Sequence, residues 1–101
     1  MNFDFREKTE AKRVPETIQE YLRKRFKLRT SYLGDLMCFE HECISREKQI
    51  KQIRIFNPNL ARKKGLAIKW NSDLEQHPEV LLFEGYTSNH GQIFIMDLGP
   101  R

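Results

Sequence analysis

The stretch DLMCFEHECIS, residues Asp35 to Ser45, holds both cysteines of the chain and one of its three histidines within six positions. Thiolate and imidazole bind zinc, and side by side they can also act as nucleophile and base. Spacing decides between these chemistries. The stretch reads as a β-strand, so side chains alternate: Met37, Phe39, His41 and Cys43 fall on one face, Cys38, Glu40 and Glu42 on the other. The two sulfurs then point apart, five residues and roughly 16 Å from each other, where a disulfide needs less than about 7 Å. What survives is the pair His41 and Cys43, two apart on one face. As a metal site the pair needs one or two further ligands, and only His77 and His90 remain as imidazole donors. As a thiol enzyme it needs an orienting group and an oxyanion hole, and no glycine-rich elbow supplies one. The leading expectation is a plain strand, with Cys43 filling core beside Met37 and Phe39, His41 at the rim, and no cofactor.

Cations interleaved with aromatics form the second signal. YLRKRFKLRTSY carries Arg23, Lys24 and Lys27 on the side of a helix away from its apolar stripe, and the turn ARKKG adds Arg62, Lys63 and Lys64. Several cations on one face would bind phosphates with salt-dependent affinity. The aromatics fall on the core stripe, however, and no RNA- or DNA-binding signature accompanies the charges. Carboxylates at Asp35, Glu40, Glu42, Glu84 and Asp97 give no hydrolase or phosphate-loop motif either.

The elements that must carry these residues follow from periodicity. VPETIQEYLRKRF is the clearest helix, about residues 15–28, opened by Pro15 and striped by Ile18, Tyr21, Leu22 and Phe26, with Arg25 inside the stripe. DLMCFEHECIS and QIKQIRIF read as a hairpin across SREK. NPNLARKKG reads as a short helical turn capped by Asn59 and stopped by Gly65. LAIKW alternates as a half-buried strand, and Ser72 with Glu75 forms a capping-box pattern. EVLLFEGY and GQIFIMDL flank TSNHG, whose Gly91 can take a positive φ, and their two apolar faces place both strands centrally. The residues before Pro15 read two ways: NFDF alternates like a short strand, while REKTEAKR would tolerate helix. The expected fold is α+β: a single domain over residues 1–101, one principal helix packed on an antiparallel sheet of about five strands.

Charge sets the class of partner. The 101 residues carry a formal net charge of +4, distributed unevenly. Residues 1–30 hold nine Lys or Arg against five Asp or Glu, residues 31–70 eight against four, and residues 71–101 one against five. A basic front and an acidic end suit an anionic partner or a second copy of the chain. No apolar run reaches the ~18–20 residues of a membrane span, and the charged start lacks a secretory signal, so a cytoplasmic protein with no membrane contact is expected. The expected function is non-catalytic association with a protein partner or with itself as a dimer. Nucleic-acid binding through Arg23, Lys24, Lys27, Arg62, Lys63 and Lys64 is the alternative, and a small metal or thiol enzyme using His41 and Cys43 is the third. On this reading Lys48, Lys51 and Arg54 guard an exposed edge of the first hairpin.

Overall fold

The structure is a computed structural model, described here for residues 8–44 and 49–99. It holds one five-stranded antiparallel sheet whose strands are ordered as they occur in the chain: β1 (Lys12–Arg13), β2 (Met37–Ile44), β3 (Gln49–Phe56), β4 (Leu81–Ser88) and β5 (Ile93–Asp97). The connection from β1 to β2 carries α1 (Glu16–Phe26) and α2 (Thr30–Gly34). That from β3 to β4 carries α3 (Pro58–Lys63), α4 (Asn71–Gln76) and a 3-10 turn, Pro78–Val80. The α+β class and the five antiparallel strands agree with the sequence reading.

Each long connection covers a different face of the sheet. Ile18, Leu22 and Leu33 from α1 and α2 join Cys38, Ile53, Ile55, Phe83 and Ile95 in one buried cluster. Ala61, Leu74 and Val80 from the second connection join Phe39 and Phe56 in another. A bulge where β3 meets the start of β4 serves both layers: Phe56 pairs with Leu81 and Ile55 with Phe83, skipping Leu82. Leu82 and Phe83 therefore both enter the first cluster, while Leu81 packs on the second.

Local chemistry explains the helix ends. In α1 the Pro15 carbonyl accepts from Ile18 N at 3.0 Å and Gln19 N at 2.9 Å, and Ile18 and Leu22 are buried as the stripe predicts. The helix stops at Phe26 rather than near residue 28, because Lys27 turns to a left-handed φ of 58°. Arg25 is exposed, its guanidinium 5.3 Å from the centroid of the Phe26 ring. At α3 the cap is Asn57, not Asn59: the Asn57 Oδ1 accepts from Asn59 N at 2.9 Å, and Pro58 takes the first helical position. Gly65 and Gly91 take the expected positive φ, 70° and 82°.

Three further expectations are corrected. LAIKW forms no strand; within it, Trp70 alone makes a single bridge, to Glu10. The fifth strand is β1, two charged residues that alternation could not reveal. α4 is not opened by Ser72 and Glu75 but by Asp73, whose Oδ2 accepts from Lys69 N at 2.9 Å and Trp70 N at 2.8 Å. The third correction concerns position in the sheet. β3, with Lys51 and Arg54, is the middle strand and guards no edge, whereas β5, expected at the centre, is an edge strand among the described residues. NFDF, SREK and Lys48 lie outside the described residues.

Candidate functional site

Strand register sorts the sheet's side chains into rows. On the face covered by α1 and α2 the rows are Cys38–Ile55–Phe83–Asp97, Glu40–Ile53–Gly85–Ile95 and Glu42–Lys51–Thr87–Ile93. On the opposite face they are Phe39–Arg54–Glu84–Met96, His41–Gln52–Tyr86–Phe94 and Cys43–Ile50–Ser88. The alternation expected for residues 37–43 is thus present, with one exchange of roles: Cys38, not Cys43, is the fully buried thiol.

Burial moves Cys38 away from reactivity. Removal from water, and secondarily the Glu40 charge, push its thiol from 9.0 up to about 12, against a smaller opposing effect of Lys12. A thiol so shifted supplies negligible thiolate at neutral pH. His41 and Cys43 do share a face and are both half-buried, yet no group of three or more His, Cys, Asp or Glu among the described residues is placed to hold a metal ion. His77 lies at the end of α4, where its Nδ1 sits 3.5 Å from Glu79 Oε1, and His90 is exposed in the β4–β5 loop.

On the helix-covered face a groove of about 370 Å³ opens between the start of α1 and the sheet, lined by Ile18, Ile53 and Ile93 below and Lys12, Glu40 and Lys51 at its polar side. Its charges neutralise one another. Glu40, whose side chain is 16% exposed, receives Lys12 at 3.0 Å and Lys51 at 3.8 Å, and Lys51 also lies 3.9 Å from Glu42. The groove has hydroxyls in Thr17 and Thr87 but presents neither cysteine nor histidine.

The cations singled out by sequence are exposed but divided. Arg23 and Lys24 both engage Glu20, at 2.7 and 3.4 Å. Their helix packs through Ile18 and Leu22 on the first cluster, whereas Ala61 of α3, beside exposed Arg62, Lys63 and Lys64, packs on the second. Leu60 reaches the first cluster, so α3 sits where the two layers meet.

The feature that composition did not reveal is on the opposite face. There α3, α4 and the 3-10 turn cover Phe39, Phe56 and Leu81, and Arg54 marks the limit of that cover, joined to Glu75 of α4 and 3.7 Å from Glu84 of β4. Beyond Arg54 large apolar side chains stand open: Tyr86 is 41% exposed, Phe94 50%, Met96 49% and Leu98 43%. The Tyr86 and Phe94 rings stack with centroids 5.6 Å apart. Phe94, Met96 and Leu98 alternate along β5 and its continuation, so three of the four lie on the edge itself.

That edge also offers backbone. Ser88 N donates to Gln92 O at 2.9 Å and Leu98 N to Leu82 O at 2.8 Å, which fixes the even-numbered residues as the ones bonded to β4. The N–H and C=O of Ile93 and Ile95 are consequently directed away from the sheet. β5 has Asp97 as its one charged residue and contains no Lys or Pro to discourage pairing. The other edge, β1, is two residues long and consists of Lys12 and Arg13.

These features could have been sought in IFIMDL, where every position is apolar except Asp97. Sequence cannot, however, separate a strand buried on both faces from an edge strand left open on one. No family model matches the chain, and no curated protein and no solved structure matches it either.

Proposed function

We infer that this protein is a non-catalytic docking domain that associates with protein through β5 and the open apolar face beside it. The observation that carries this reading is the asymmetry of the two sheet edges. One is short and doubly charged; the other is five residues long, nearly uncharged, and bordered by Tyr86, Phe94, Met96 and Leu98. Exposed apolar surface gathered in one place marks an association site, whereas scattered residues do not. An unguarded edge accepts another strand through its main chain.

The aromatic platform favours protein over single-stranded nucleic acid. Phosphates require cations among the stacking rings, and the cation that the register places nearest this patch, Arg54, is already held by Glu75 and Glu84. A photo-reactive phenylalanine analogue at position 94 tests the assignment, with the same analogue at position 63 as comparison. Discrete protein adducts from 94 and none from 63 are expected on illumination in living cells. Adducts from 63 alone, or nucleic acid recovered there, would move the function to the basic turn. That second reading rests on exposed Arg62, Lys63 and Lys64 at the end of α3.

A further inference from the structure

We propose that the occupant of the β5 edge is a second copy of the same chain, bound as an antiparallel β5–β5 pair with its two-fold axis at Ile95. This rests on the docking reading above and names its partner.

The register follows from the ladder. Odd-numbered residues of β5 direct their backbone outward, so a new strand must exchange its hydrogen bonds with residues 93, 95 and 97. An antiparallel copy overlaps all of Ile93–Asp97 in one such register, where Ile95 meets its own equivalent and Ile93 meets the partner's Asp97. The positions between them are then Phe94 opposite the partner's Met96, and Met96 opposite the partner's Phe94. These are the non-hydrogen-bonded pairs, whose side chains approach most closely. Both belong to the open face, at 50% and 49% exposure. The contact is therefore ring against thioether, made twice, a pairing that aromatic and sulfur groups favour. Leu98 lies over the partner's Gln92 and extends the covered strip.

A two-fold contact requires a surface that complements itself, and this edge does. The like-charge objection is small: with Asp97 opposite Ile93, the two carboxylates stand about four residues apart along the strands, roughly 13 Å, beyond the ~8–10 Å screening length of ordinary salt. The product is one continuous sheet of ten strands, at the ~10-strand limit of open twisted sheets. A foreign strand would have to reproduce this alternation, which a second copy supplies.

Mass measured by light scattering from micromolar to millimolar concentration tests the pairing, with near-ultraviolet circular dichroism confirming that each variant is folded. Wild type is expected to double in mass as concentration rises. F94K/M96K, which sets lysine against lysine across the axis, should raise the midpoint by at least ~10-fold, and F94K/M96E, which sets lysine against glutamate, should restore it. Register is read separately by oxidation in a Cys43→Ser background. A mixture of Phe94→Cys and Met96→Cys chains should form a linked dimer, and neither should do so alone. A monomeric mass throughout, or equal linking in the unmixed samples, overturns self-pairing. In that case, adducts to another protein from position 94 would preserve the docking reading, and their absence would remove both.

Discussion

Gly85 is where the integrity of the edge can be tested most sharply. It lies in β4 between Ile53 of β3 and Ile95 of β5. A methyl group on its Cα would stand 2.7 Å from the Ile95 Cα and 2.8 Å from the Phe94 carbonyl carbon, and closer still to the Phe94 oxygen. All three atoms are backbone, so no rotamer change relieves the contact. Bringing the Ile95 Cα to an ordinary 3.4 Å requires β5 to withdraw by at least 0.7 Å. Overpacking of this kind costs typically 1–3 kcal/mol, that is about 2 kcal/mol, and full release of β5 would add the burial of Ile95, about 1.5–3 kcal/mol. With a urea dependence of about 2 kcal/mol per molar, Gly85→Ala should lower the unfolding midpoint by about 1 M or more. Amide exchange should locate the damage: protection lost at Phe94 and Met96, and retained at Ile53 and Ile55. Gly34→Ala is the control, because its added methyl meets only the Arg13 guanidinium at 3.6 Å, and its effect should stay within about 0.5 kcal/mol. A Gly85→Ala protein as stable as the control, with β5 amides still protected, would refute the packing argument.

Three further expectations concern other parts of the molecule. The folded thiol of Cys38 ionises near 12 rather than 9.0, so the unfolded chain releases that proton first. Its contribution to stability is intact below pH 9 and falls by about 1.4 kcal/mol per unit as pH rises from about 9 towards 12. Subtracting the pH profile of Cys38→Ala from that of wild type should isolate the slope, and under native conditions iodoacetamide should label Cys43 well before Cys38. The buried side chain of Asn71 accepts from Thr9 N at 3.1 Å while its own backbone N–H donates to the Thr9 carbonyl at 3.3 Å. Asn71→Ala leaves the Thr9 amide without that acceptor and should cost about 1–3 kcal/mol, read by denaturant titration with the Thr9 amide exchanging faster. Fluorescence anisotropy of labelled single- and double-stranded nucleic acids at two salt concentrations should show no tight binding. Micromolar binding that weakens steeply with salt and is abolished by Lys63→Glu would instead assign the function to the basic turn.

β2 and β3 were legible in the sequence because their residues alternate with period two, and QIKQIRIF is a strand over the full span expected; β4 and β5 were legible as short apolar runs on either side of a turn. α1 was legible for the parallel reason, at period 3.6 from Ile18 to Phe26. Alternation misled at LAIKW, whose Leu66 and Ile68 pack against the second cluster from an irregular segment. β1 was invisible because Lys12 and Arg13 pair by backbone alone, and no side-chain pattern records that. Edge position was the costliest loss. Phe94 and Met96 look like core residues in any local window, and only the order of the strands shows that nothing described covers them. Local spacing does bring His41 and Cys43 to one face, as the alternation requires, while no group of three or more His, Cys, Asp or Glu among the described residues is placed to hold a metal ion.

The match between strand order and chain order bears on how the molecule is made. As the chain leaves the ribosome, each strand from β2 onward finds its neighbour already synthesised, and no strand has to insert between two that have paired. Growth of the sheet and growth of the chain run in one direction. Of the described strands β5, with its open edge, is therefore the last to exist, arriving when the layers beneath α1 and α3 can already close. A nascent chain spends little time with that edge exposed and its core unfinished, which is the combination that invites aggregation among neighbouring ribosomes.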